Sequence, residues 1–227
     1  PGRSYSRWGG FLAGLDRFDS LFFQVPPADA RLMDPQQRLF LETAWHCLET
    51  AGYAGDALRG TRTGVWFASS HTAYRDREGM RPHLLDFAAM QANGLSIVPN
   101  RFSFLMDFRG PSVFVDTLCS SSLVALHQAS EAIRRGDCPA ALVGAANAIV
   151  NPDFYTGMSS ARAFSPTGRC RTFDRSADGF VSAEGVVAVL LVPLETALAG
   201  GDRILGVLRG SAVGHNGRSN GLTAPNP

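Results

Sequence analysis

The stretch Val113-Phe114-Val115-Asp116-Thr117-Leu118-Cys119-Ser120-Ser121-Ser122 runs apolar and then stops at a cysteine followed by three serines. A short apolar run of this kind reads as a buried strand. The residues after it read as a helix, because Leu123, Leu126, Ser130 and Ile133 recur at helical spacing. Arg134 and Arg135 fall in its last turn, and Gly136 stands where a helix stops. Cys119 therefore occupies a strand-to-helix junction. The unpaired backbone N–H groups and the positive dipole end found there favour a negatively charged sulfur, the form that acts as a nucleophile. Against this stands the ordinary fate of a free cysteine, which is to pack as a small buried hydrophobe. The pattern around Cys119 leaves both readings open.

Working outward, strands and helices alternate. Residues 29–52 are predicted helical, with Pro35 early in the helix after Asp34, an apolar face of Leu39, Ala44, Trp45, Leu48 and Ala51, and a stop at Gly52. His46 lies beside that face and reads as structural. Residues 63–68 form a short apolar run between turn formers, a predicted strand. Residues 71–82 are polar and loop-like, and a helical pattern over 84–104 is expected to break into two pieces at Gly94 and Pro99. Beyond the Cys119 helix, residues 140–150 suit a tightly packed central strand, and residues 151–179 look loop-rich. Residues 186–192 are apolar without alternation, which predicts a strand buried on both faces. A short helix over 194–199 follows, then an alternating run over 204–213 that predicts a strand near an edge or layer surface, and a turn at Asn216-Gly217. This alternation predicts an α/β layered fold with a mainly parallel or mixed sheet. The aromatic, glycine-rich residues 1–23 show no sustained period and are expected to lie as irregular chain over the core.

Composition narrows the function. With 227 residues, 45% hydrophobic and 18% charged, the chain has the material for a real core. Its 21 basic residues are balanced by 20 acidic ones and do not gather beyond Arg134-Arg135, so no nucleic-acid face is indicated. Every basic residue is arginine, and with no lysine present, Schiff-base chemistry has no candidate. Cys47, Cys119, Cys138 and Cys170 form no CxxC pair and no metal-like spacing with the five histidines, so reduced cysteines in a cytoplasmic protein are expected and zinc is not. No signal peptide is apparent, and no apolar run is long enough to span a membrane. Neither GxGxxG after a strand nor GxxxxGK[ST] occurs, which argues against a nucleotide cofactor. Ser120, Ser121 and Ser122 lack the GxSxG setting of a serine nucleophile and read as first-turn helix residues.

Residues 116–127, from Asp116-Thr117-Leu118-Cys119 to His127, resemble the active-site signature of β-ketoacyl synthases, above all the ketosynthase domains of modular type I polyketide synthases. Further matches occur in order along the chain. They are Trp8-Gly9-Gly10-Phe11-Leu12, Met33-Asp34-Pro35-Gln36-Gln37-Arg38, Asn100-Arg101, Gly110-Pro111-Ser112, Asp178-Gly179-Phe180, Glu184-Gly185 and residues 220–226. Gly2-Arg3-Ser4-Tyr5 and residues 223–227 look most like ketosynthases from trans-acyltransferase assembly lines.

This resemblance implies a thiolase-like layered αβαβα fold built from two related halves and acting as a homodimer. Residues 1–227 are expected to be about the N-terminal half of the domain, excised from something longer. It implies that Cys119 attacks an acyl thioester on the phosphopantetheine arm of an acyl carrier protein, with no cofactor bound directly. Condensation with a malonyl-type extender then gives a β-ketoacyl product. It makes the Cys119 backbone N–H one donor to the thioester oxyanion and places Met158, Phe180 and Thr223 along the acyl pocket, where each has an alternative as ordinary core. Neither of the family's two later histidine motifs for decarboxylation is found in this chain, nor its later lysine, its glycine-rich phenylalanine loop or the strand expected before Pro1. His127 and His215 do not replace the histidines. Leu118 stands where a smaller residue is common, and Gly214 and Asn216 replace a frequent Asn and Asp pair; these bear on substrate fit rather than chemistry. Two other roles remain open: a non-elongating ketosynthase that only passes on acyl chains, and a non-catalytic structural protein that shapes a partner's pocket.

Overall fold

A computed structural model describes residues 2–70, 74–76, 87–222 and 224. Its centre is a four-stranded sheet in the order β2-β1-β3-β4, made by β1 (Gly64–Ala68), β2 (Ser112–Val115), β3 (Ala141–Asn147) and β4 (Gly185–Leu191). β1 runs parallel to both β2 and β3, and β4 runs antiparallel to β3, with Phe67 opposite Phe114 and Val143 opposite Val189. Helices α2 (Pro35–Thr50) and α4 (Ile97–Met106) cover one face, and α5 (Ser121–Arg134) covers the other. The remaining helices are α1 (Pro27–Leu32), α3 (Phe87–Asn93), α6 (Asp153–Ser160) and α7 (Leu194–Gly200).

Successive strand residues point to opposite faces, so each strand feeds two cores. Val65, Phe67 and Leu142 join Phe40, Leu41, Ala44 and Phe102 beneath α2 and α4. Trp66, Ala68, Ala141 and Val143 join Ala125, Ala129 and Ala132 of α5. The three alanines let α5 approach the sheet closely, which fixes where the chain leaves β2 and hence where Cys119 stands. On the other face Phe40 is fully buried, 4.8 Å from the Phe67 ring and 5.8 Å from the Phe102 ring. It fits because β3 offers Gly144, where an added Cβ would lie 2.3 Å from Phe40 Cε2.

Several expectations are corrected. The predicted helix over 29–52 is two helices, because Asp34 precedes a proline and takes an extended ψ of 131° that helix cannot continue through. Asp34 instead caps α2, its carboxylate accepting the Gln36 N–H at 2.8 Å. Of the two expected breaks in the next helical stretch, Gly94 separates α3 from α4, whereas Pro99 sits in the first turn of α4, where a missing N–H costs nothing. β4 is not buried on both faces: Val186, Ala188 and Leu190 pack under α2, while Val187 and Val189 are 60% and 45% exposed. It is the outer strand of the described sheet, and of its residues on the α5 side only Leu191 packs against the core beneath α5. Residues 203–217 join no ladder, with Leu205 81% exposed, so the alternation over 204–213 does not make a strand among the described residues. The loop-rich reading of residues 151–179 missed α6, which follows an Asn151 side chain accepting the Asp153 N–H at 3.1 Å.

Candidate active site

β2 ends at Val115, and the chain reverses into α5 through residues 116–120. Leu118–Ser120 form a single 3-10 turn that runs directly into the helix. Leu118 takes φ +56°, an uncommon and costly conformation for a side chain of this size. Short polar side chains hold it there. Asp116 Oδ1 accepts the Leu118 N–H at 3.0 Å, and Ser120 Oγ donates to the Thr117 carbonyl at 2.9 Å. Ser121 Oγ accepts the Thr117 N–H at 2.8 Å and donates to the Leu118 carbonyl at 2.6 Å. Cys119 projects exposed from this turn, ahead of the helix N-terminus.

The four cysteines now separate. Cys47 and Cys138 are in or beside the cores, and burial pushes both thiols up, away from the nucleophilic form. Cys170 is exposed, and its sulfur accepts the Val181 N–H at 3.1 Å within a loop. Cys119 alone combines exposure with a strand-to-helix turn.

Beside the turn lies a cleft of about 630 Å³, lined by Ser120 and by the stretch from Gly214 to Leu222. The segment leading into that stretch is tied to α5 through His127 Nδ1 and Ser211 Oγ, 2.9 Å apart. His46 is far less involved, forming an exposed pair with Glu49 at 2.8 Å. Among the described residues no group of three or more His, Cys, Asp or Glu is placed to hold a metal ion, and no helix is long and apolar enough to cross a membrane.

Met158 lies half-buried on α6, whose Tyr155 packs 4.9 Å from the Phe164 ring. Phe180 bridges to Phe164 in a short parallel pairing, with ring centroids 5.2 Å apart. Phe164 thus brings the segments bearing Met158 and Phe180 into one aromatic cluster. Gly179 permits this: at φ +135° a Cβ would lie 2.5 Å from the Phe164 carbonyl carbon. Thr223 lies outside the described residues.

Two side chains that tie separate backbone segments together escaped sequence reading. Glu184 receives the Leu12 N–H on Oε2 at 2.9 Å and the Ile149 N–H on Oε1 at 2.8 Å, clamping the N-terminal segment and the end of β3 to β4. Ser121 was visible only as a first-turn helix residue. No periodicity reveals either pairing, because both are made across a chain reversal or between distant segments.

The architecture has counterparts among known proteins. Residues 1–197 match the family model described as "Beta-ketoacyl synthase, N-terminal domain". The chain belongs to the β-ketoacyl synthase family. It is 46% identical over 222 residues to a phenolphthiocerol/phthiocerol polyketide synthase of Mycobacterium tuberculosis, covering 98% of this chain and 12% of that one. It is 42% identical over 237 residues to the polyketide synthase PksL of Bacillus subtilis, covering 100% of this chain and 5% of that one. Among solved structures, the oxazolomycin ketosynthase domain OzmH KS7 of Streptomyces albus superimposes with a TM-score of 0.90 at 43% identity, over 97% of this chain and 39% of that one. The ketosynthase from module 6 of the Bacillus subtilis bacillaene synthase gives a TM-score of 0.88 at 35% identity, over 98% and 37%. The expected thiolase-like ketosynthase fold is therefore present, and this chain spans well under half of those ketosynthase chains.

Proposed function

We propose that this chain is about the N-terminal half of a polyketide-synthase ketosynthase and that Cys119 is its acyl-accepting nucleophile. The observation that carries the reading is the exposed Cys119 in a strained, hydroxyl-braced turn at the head of α5, in a chain 43% identical to a solved ketosynthase domain. In the first step Cys119 Sγ attacks the thioester carbonyl of an acyl chain on a carrier protein's phosphopantetheine arm. The new carbon–sulfur bond forms through a tetrahedral oxyanion, the bond to the pantetheine sulfur breaks, and the leaving thiolate takes the proton given up by Cys119. The Cys119 backbone N–H is one donor to that oxyanion, a kind of interaction worth about 3–4 kcal/mol in other acyl-transfer enzymes.

In the second step a malonyl-type extender on a carrier protein loses CO₂, and the resulting carbanion attacks the acyl-Cys119 carbonyl, releasing the cysteine and forming the β-ketoacyl thioester. The two histidines that serve this step in the family are assigned to the rest of the ketosynthase, so this segment alone is expected to be acylated but not to condense. Met158, Phe180 and Thr223 are assigned to the acyl pocket. The working unit is a homodimer in the cytoplasm, with acyl carrier protein and the other synthase domains as partners. A trans-acyltransferase context is favoured by the similarity to PksL and to the bacillaene ketosynthase, both of that type.

The test uses the full-length protein with acyl-loaded and malonyl-loaded carrier proteins, followed by mass spectrometry of the Cys119 peptide and of the product. Acylation lost in Cys119→Ala, together with a β-ketoacyl product in the wild type, is the expected result. Acylation without product would replace condensation with chain transfer alone, and no acylation would point to a purely structural role.

A further inference from the structure

We infer that Ser121 is a positioning residue that sets the direction of the Cys119 N–H, and so acts on acyl transfer through the oxyanion rather than through the thiol. The inference rests on the assignment of Cys119 as nucleophile and deepens it.

The argument starts from the peptide unit joining Leu118 to Cys119. It is planar and trans, so the Leu118 carbonyl and the Cys119 N–H point in opposite directions and turn together. Whatever holds the carbonyl aims the N–H. The Leu118 carbonyl receives the Ser121 hydroxyl at 2.6 Å and also the Ser121 backbone N–H at the end of the 3-10 turn. The same hydroxyl oxygen accepts the Thr117 N–H at 2.8 Å. One buried side chain, 4% exposed, therefore ties the Thr117 N–H and the carbonyl of the strained Leu118 to the first turn of α5.

The neighbouring peptide is held separately, its N–H by Asp116 Oδ1 and its carbonyl by Ser120 Oγ. Asp116 and Ser120 thus constrain Leu118 from its N-terminal side, and among the described residues Ser121 is the side chain that holds the Leu118–Cys119 plane. The Cys119 N–H itself meets no side-chain acceptor among the described residues. It is left available to a ligand at the point where the thioester oxygen would develop charge. A donor for a transition-state oxyanion is effective only if it is already aimed, since reorienting it during the reaction would cost part of what it stabilises.

Two reactions of the same sulfur separate this role from general support. Thioester attack passes through an oxyanion, whereas alkylation by iodoacetamide displaces iodide and builds no charge on an oxygen near the Cys119 N–H. In the full-length protein, Ser121→Ala is expected to lower kcat for Cys119 acylation by about 10- to 100-fold, less than the roughly 10²- to 10³-fold loss on deleting such a donor. KM for the acyl carrier protein and the pH profile of iodoacetamide labelling are expected to stay within about twofold. Ser121→Thr, which keeps a hydroxyl on the same carbon, is expected to restore most of kcat. Thermal melting checks that each variant is folded. If Ser121→Ala melts early, Ser121→Cys takes its place with a smaller selective loss expected.

A selective fall in acylation supports the inference. Equal falls in acylation and alkylation, unchanged acylation, or a threonine variant as slow as the alanine variant would each overturn it. A wild-type protein alkylated at Cys119 but never acylated overturns the nucleophile assignment, and with it this role for Ser121.

Discussion

Gly144→Ala is expected to destabilise the fold through Phe40, and the size of the effect follows from the packing. The added methyl would sit 2.3 Å from Phe40 Cε2, 2.7 Å from Cδ2 and 3.1 Å from the Val187 carbonyl oxygen. Phe40 has little room to retreat, since Phe67 and Phe102 close on it from other sides and it is fully buried. Overpacking a well-filled core costs about 1–3 kcal/mol, and a ring caught between a backbone and two other rings belongs at the upper end. Phe40→Leu removes the clashing ring atoms, losing burial and leaving some space, at a cost of about 1–2 kcal/mol when made alone. Combined, the methyl fills space that the ring vacated, so the double variant should be more stable than the sum of the single effects implies, by at least about 1 kcal/mol. Urea unfolding of the ketosynthase domain at constant slope gives the three values and the coupling term. Additive effects within about 0.5 kcal/mol would show that Gly144 does not exist to admit Phe40.

Other outcomes follow from the same structure. At neutral pH iodoacetamide should label Cys119 and Cys170 well before Cys47 and Cys138, as judged by timed peptide mapping, because the last two thiols are shielded and pushed up by burial. A thiol whose folded pKa is raised gives stability that is present below its unfolded value, about 8.5, and lost as pH rises toward the folded value. Cys47→Ala should therefore flatten the loss of melting temperature above that pH, and an unchanged slope would remove Cys47 as its source. Gly179→Ala puts a methyl against the Phe164 and Ser165 backbone at a φ suited only to glycine, so it should cost at least about 1–3 kcal/mol. It should also open the loop bearing Arg169, Arg171 and Arg175 to trypsin; wild-type cleavage rates would contradict the packing. Glu184→Gln loses one of two carboxylate acceptors for backbone N–H groups and should destabilise by about 1–3 kcal/mol, with proteolysis appearing first near Leu12.

Local signals sufficed where a residue's role is set by its immediate neighbours. The β2–Cys119–α5 junction was legible because an apolar run, a helical period and a terminal glycine are each local, and β1, β3 and α7 were recovered for the same reason. The spread of motifs along the chain carried the family. The signals fail where partners are distant or a neighbouring residue overrides the period: proline splits the first helix at Asp34, and the apolar run at β4 predicts burial on both faces although periodicity does not say what lies on the second face. The alternating run over 204–213 failed likewise, since a ladder needs another strand.

By itself the sequence determined that Cys119 stands at a strand-to-helix junction, and that the chain has the α/β alternation and motif order of a ketosynthase. Only the tertiary structure decided which two cysteines are accessible and which two are packed away. It alone revealed that Leu118 is strained and that Ser121, read from sequence as one of three similar serines, is the buried one whose hydroxyl reaches back across the turn. The physical reason is that periodicity reports which side of an element a residue faces, while hydrogen bonds across a chain reversal depend on the direction of individual peptide planes.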